Sequence, residues 1–199
     1  MKSEASLKPP RARALPYSGP VVDPGRLAVA AQVLIAVQTV AQLAVAFTGG
    51  TRSKLFAQYV PISLPLMVAT VVVFLCWFRR CLLNAQCVAP GTQRYSAGLA
   101  VGAWFVPVAM WWIPRRVALD IWRAGTPAGG TWLIEAWWAA WLAKTVGGAV
   151  AARSGARPYG YSVYDEVVGV VAAVLAILVI RRITERQGAG ARAGLAARR

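Results

Sequence analysis

The chain contains no histidine. Histidine is the commonest metal ligand and the usual general base near neutral pH. Its absence excludes His-ligated haem and zinc sites, and any Ser-His-Asp or Cys-His catalytic group. Acid is scarce as well: 7 Asp and Glu stand against 22 Lys and Arg, a formal net charge of +15. Cysteine is limited to Cys76, Cys81 and Cys87. Their spacing is not the C-x-x-C of a redox or zinc site. An odd number beside an expected cytoplasmic face argues against a disulfide framework, so they read as buried free thiols. Charged residues make up only 15% of a chain that is 58% hydrophobic, with mean hydropathy +0.52. A soluble domain of 199 residues needs more polar surface than that.

What is present instead is a series of long apolar runs. Each approaches the ~20 residues that a helix needs to cross a bilayer. The most telling stretch is Val72 to Ile113, where an apolar run to Phe78 meets the basic turn Arg79-Arg80, a polar link and a second apolar run. The expected fold class is therefore all-α, a polytopic transmembrane helix bundle. Residues 27–48 read as the first span and an uncleaved anchor, because the run is too long for a signal peptide and lacks a clear cleavage site. Residues 60–78 form the second span, with Pro61 and Pro65 in its first turns, where a missing N–H costs least. That helix continues past Arg80 into the cytoplasm until Pro90-Gly91 stops it. Residues 131–150 and 167–180 supply two further spans, the last closed by Arg181-Arg182.

Residues 97–113 are ambiguous: apolar, barely long enough to span, and interrupted by Gly102 and Pro107. Residues 115–123 follow as a short amphipathic helix, with Val117, Leu119, Ile121 and Trp122 on one side and Arg116, Asp120 and Arg123 opposite, a pattern suited to the headgroup layer. Positive charge decides how the ambiguous segment is read. With four spans and both termini inside, 17 Lys and Arg lie on the cytoplasmic side and 4 outside. With five spans the split is 10 to 11, and the positive-inside bias vanishes. The expectation is four spans plus a re-entrant or interfacial central segment, with five spans as the alternative. A Pro-rich disordered cytoplasmic tail over 1–25, a transmembrane domain over 26–182 and a disordered basic cytoplasmic tail over 183–199 complete the organisation.

Three groups of residues are candidates for chemistry. Gln32, Gln38, Thr39 and Gln42 share one face of the first span. They line a solute path or hydrogen-bond to a neighbouring helix. Glu135 and Lys144 are ionisable residues inside an expected span and point to opposite faces. Glu135 is placed to pair with Arg115, Arg116 or Arg123, and Lys144 to snorkel outward. Arg80, Asn84, Arg116, Asp120 and Arg123, with Glu135, form a candidate polar cluster or lipid-headgroup contact, since paired guanidinium groups suit phosphate. All nine tryptophans fall between Trp77 and Trp141, where interface anchoring and core packing explain most of them. Gly169, Ala173 and Ala176 make a small-residue face on the last span.

The segment Cys76–Gly125 resembles a known family. It reads CWFRRCLLNAQCVAP, then SAGLAVGAWFVPVAMWWIPRRVALDIWRAG, followed by a Trp-rich span. Arg80, Asn84, Trp104-Phe105-Val106-Pro107, Pro114, Asp120 and Trp122-Arg123 carry the resemblance to domain-of-unknown-function family 4328, small bacterial membrane proteins. The family often carries Asn where this chain has Met110. The resemblance implies a membrane location and a shared fold, and it supplies no activity.

Together these readings lead to a protein of the bacterial plasma membrane, with no cofactor and no catalytic residue. Its first expected role is a non-enzymatic interaction or scaffold protein whose basic cytoplasmic face contacts anionic lipid, with a protein partner or a second copy of itself. The alternative is a small-solute or ion carrier or channel using Glu135 and the Gln stripe. A lipid-modifying enzyme built on Asp120 and the arginines is weaker, for want of a nucleophile arrangement. Nucleic acid is not expected as a partner, because no groove-reading motif accompanies the charge.

Overall fold

The structure, a computed structural model, describes residues 17, 19–125, 130–153 and 163–196; of 151, 152 and 189–196 it describes the backbone alone. Among the described residues the chain is all-helical. Helix α1 spans Gly25–Phe47 and α2 spans Lys54–Val88, opened by Ser53, whose hydroxyl accepts from the Phe56 N–H at 3.0 Å. A six-residue α3 (Ala97–Gly102) and a 3-10 turn (Ala109–Trp111) lead into α4 (Ile113–Gly125). Helices α5 (Trp132–Arg153) and α6 (Val163–Ala196) complete the chain.

The four long helices alternate in direction. Helix α1 packs on α2 and α6, and α5 packs on α6. At one end the start of α1 meets the ends of α2 and α6, where Val22, Asn84 and Gln187 are joined by hydrogen bonds. At the other end Tyr164 donates to the carbonyl of Ala143 at 3.3 Å, joining the start of α6 to the end of α5. Helices α1, α2 and the 163–188 stretch of α6 are long and apolar enough to cross a membrane. Their outward faces are apolar: Val29, Val33, Val37 and Val40 on α1, Ile62, Leu64 and Val68 on α2, and Val167, Val171 and Val174 on α6 are all exposed. A water-soluble monomer rarely shows contiguous apolar surface of that extent.

The tightly buried core lies toward the α4 end. Trp77, Phe78, Cys81 and Leu82 of α2 pack with Val117, Ala118, Ile121 and Trp122 of α4, Ile134 of α5, and Ile180 and Ile183 of α6. Helix α2 is 35 residues long, about 52 Å at 1.5 Å per residue, well beyond a ~30 Å hydrocarbon layer. Its last turns, Cys81–Gln86, are buried by protein.

Several expectations need correction. Helix α2 begins earlier than residue 60, so Pro61 and Pro65 lie inside it, where each removes a backbone hydrogen bond. Residues 97–113 do not form one helix, because the chain breaks after Gly102 and again around Pro107. The apolar side of α4 faces α2, α5 and α6 rather than lipid headgroups, and Pro114, Val117, Ala118, Ile121 and Trp122 are buried. The expected tail over 183–199 continues α6 to Ala196, because Ile183 is buried, Thr184 accepts from the Trp77 indole at 3.1 Å and Gln187 reaches α2. Residues 197–199 lie outside the described residues. Of the expected tail over 1–25, residues 1–16 and 18 also lie outside them, while Val22 and Pro24 are held against the bundle.

Candidate functional site

A cavity of about 490 Å³ sits at mid-height in the bundle. Its position follows from side-chain size. Helices α2 and α5 do not pair closely, and large aromatics bridge the gap, with Phe74 and Trp137 at 6.4 Å between ring centroids. On the opposite wall α6 presents Gly169, Ala172, Ala173 and Ala176, which fill little volume. The small-residue face therefore lines a space as well as allowing close packing.

Polar groups reach this space from three helices. Helix α1 contributes Gln38, Thr39 and Gln42, so most of the Gln stripe is brought to one place; Gln32 belongs to the stripe but does not line the cavity. The Thr70 hydroxyl of α2 meets Gln38 Oε1 at 3.1 Å. The Thr39 hydroxyl is spent on the carbonyl of Ile35 at 2.8 Å, whereas the Gln42 amide has no partner among the described residues. Lys144 of α5 also lines this space, and its ammonium reaches the first turn of α6, donating to the carbonyl of Asp165 at 3.4 Å. A Cβ added at Gly169 would stand 2.7 Å from Lys144 Nζ, so glycine lets the ammonium lie against α6 without shifting. Trp104, from the turn after α3, and Trp137 and Trp141 of α5 add aromatic walls, with Trp104 and Trp141 edge to face at 5.8 Å. The Trp104 indole N–H is buried without a partner.

Sequence reasoning found the α1 stripe but missed Thr70, which faces it, and did not place Lys144 beside it. The available signals were a lone Thr in the run from Met67 to Leu75 and a Lys opposite a glycine-alanine face. A second cavity of about 640 Å³ lies between the end of α1, the turn at Gly49-Gly50 and the start of α6; its walls are apolar apart from Glu166.

The candidate polar cluster is not a single site, because its members divide among four separate contacts. Asn84, 1% exposed, donates to the carbonyl of Val22 at 2.8 Å and accepts from the Val22 N–H at 3.1 Å. It also donates to Gln187 Oε1 at 3.2 Å, and Gln187 donates to the Cys81 carbonyl at 2.8 Å. Asp120 turns to the loop after α2: its carboxylate accepts from the Arg94 N–H at 3.4 Å and stands 3.6 Å from Arg94 Nε. Gln93 donates to the Asp120 carbonyl at 3.3 Å. Burial pushes the Asp120 carboxyl above the ordinary range, and Arg94, then Arg123 and Arg116, pull it partly back. Arg116 lies 3.5 Å from the Tyr95 hydroxyl. Glu135 pairs with Arg115 at 2.6 Å and does not reach the Gln stripe. Arg80 is half-buried on α2 and joins none of these contacts, and Arg123 is exposed. Arg94, Gln187 and Arg186, whose guanidinium stacks 3.6 Å over the Trp122 ring, are contacts that sequence reasoning missed. Among the described residues no group of three His, Cys, Asp or Glu is placed to hold a metal ion, and the three cysteines are free.

An alternating bundle with lipid-suited outer faces and a polar-lined interior defines a class: an all-helical membrane protein with three helices long and apolar enough to cross a bilayer. The chain belongs to the family described as Domain of unknown function (DUF4328), whose profile matches residues 21–185. Comparison with curated proteins and with solved structures finds no match.

Proposed function

We propose that this protein is a four-crossing protein of the bacterial plasma membrane that binds a small amphiphilic molecule inside its helix bundle. Helix α5 is the fourth crossing. Its 22 residues reach about 33 Å, enough for the hydrocarbon layer, and its tryptophans and the three charged residues Glu135, Lys144 and Arg153 lower its hydropathy. The end carrying α4 faces the cytoplasm, where the basic residues 79–80, 94, 115–116, 123 and 181–182 meet anionic headgroups. Residues 97–111 lie at or within that interface, with Phe105, Val106 and Val108 exposed to acyl chains.

One observation carries the binding role. Gln38, Thr39, Gln42, Thr70 and Lys144 converge on one cavity in an otherwise apolar bundle. Polar groups at such depth are expensive and mark functional sites by default. The cavity's size also falls in the range of ligand sites, roughly 300–1,000 Å³. Compared with a scaffold role, this reading uses the interior as well as the basic surface. In place of the expected Glu135, Lys144 is the ionisable group of the site. Native mass spectrometry of protein extracted directly into lipid discs tests the reading. Wild type is expected to retain a small molecule that Ala173→Phe, which fills the cavity, does not. Equal retention by both proteins would place the molecule elsewhere.

A further inference from the structure

We infer that the cavity takes a single-chain amphiphile with an anionic head, a carboxylate or a phosphate, held by Lys144. This rests on the ligand-binding reading above and adds the class of ligand. The argument is an inventory of donors and acceptors. Lys144 carries the one formal charge on the lining. The described residues give its ammonium a single hydrogen bond, at 3.4 Å to a neutral carbonyl, and an ammonium has three N–H groups to place. The carboxylate of Glu166 is near enough for its charge and that of Lys144 to favour each other, but among the described residues the two form no ion pair, and Glu166 lines the second cavity. The glutamine amides both donate and accept, so they fit either kind of head. The lining's surplus is therefore in donors and positive charge, and what complements it is an acceptor with negative charge.

The rest of the lining selects a chain. Ile35, Val71, Phe74, Leu75 and the indoles are apolar, and Val71 and Phe105 on the rim are exposed on the lipid-facing outside. A molecule already dissolved in the bilayer reaches the space from the side, with its head toward Lys144 and its chain along the aromatic wall. At about 490 Å³ the cavity suits a molecule of drug-like size better than a two-chain phospholipid. Gly169 leaves the ammonium room beside α6, since a Cβ there would stand 2.7 Å from Lys144 Nζ and the flexible side chain would have to shift slightly.

The test uses the full chain in lipid discs and the fluorescence of Trp104, Trp137 and Trp141, which bromine quenches on contact. The probes are a brominated fatty acid, the alkyl phosphate of the same chain and the corresponding alcohol. Brominated phospholipid gives the non-specific background. The expected result is saturable quenching by the acid, the phosphate or both, at least about tenfold tighter than by the alcohol. The tighter of the two anions identifies the head. In Lys144→Gln the advantage over the alcohol is expected to disappear while alcohol binding persists. The comparison of heads on wild-type protein needs no variant, so it decides the question even if Lys144→Gln fails to fold. Alcohol binding as tight as acid and phosphate would overturn the anionic head and leave the cavity's binding role intact. Absence of saturable quenching by all three probes would overturn both.

Discussion

Asp120 shows how one side chain can organise a surface and be strained by it. Its carboxylate is buried between α4 and the loop at Arg94, where desolvation opposes the charged form more than the arginines favour it. A carboxyl whose folded pKa is raised adds stability in full below its ordinary pKa, and that contribution is lost as pH rises through the raised value. Wild type is therefore expected to gain thermal stability relative to Asp120→Asn as pH falls through the mildly acidic range, because asparagine cannot titrate. A gap independent of pH, or one moving the other way, contradicts the assignment. Glu135 is the opposite case. The sequence placed it within reach of three arginines, and Arg115 is the one it meets, at a partly exposed position where such a pair adds little stability. The Arg94 partner of Asp120 was not legible, since it comes from a loop whose path no periodicity describes.

At the scale of elements, the apolar runs located all four long helices, but they misjudged where the helices end. An apolar run reports the part of a helix that lies in lipid. It says little about the part that continues beyond, where stability comes from contacts with distant segments. Helix α6 continues past Arg182 because Ile183 packs under α4, Thr184 takes the Trp77 N–H and Gln187 ties Cys81 and Asn84. Asn84 in turn holds the backbone of Val22, which composition had assigned to a disordered tail. Ending the chain after Arg182 is expected to destabilise the protein by on the order of 3 kcal/mol, the sum expected from one buried Ile and a few hydrogen bonds. Unchanged melting of the shortened chain in lipid discs would mean that the extension is not part of the fold. The amphipathic reading of α4 was right about its apolar face and about Arg116 and Arg123, which are exposed, but Asp120 is buried. The reading failed on the neighbour, because amphipathicity alone does not distinguish a membrane surface from another helix.

For the whole molecule, the all-helical class and the grouping of Gln38, Thr39 and Gln42 could be read from one dimension, while the cavity they line could not. It exists because bulky rings on α2 and α5 hold those helices apart while glycine and alanine on α6 leave the space unfilled. That is a property of facing surfaces, as is the meeting of Thr70 and Lys144 with the α1 stripe. The binding role depends on this space being open to small molecules from the membrane. The most direct test places a single cysteine at Ala173, on the cavity wall, and a control at Ala31, which is 0% exposed in the packed core. Cys76, Cys81 and Cys87 are replaced by alanine, and the protein is treated in lipid discs with a small lipid-soluble maleimide. Ala173→Cys is expected to react readily and to be protected by the fatty acid, while Ala31→Cys stays inert. Equal inertness at both positions in folded protein would contradict an open cavity, and with it the proposed role.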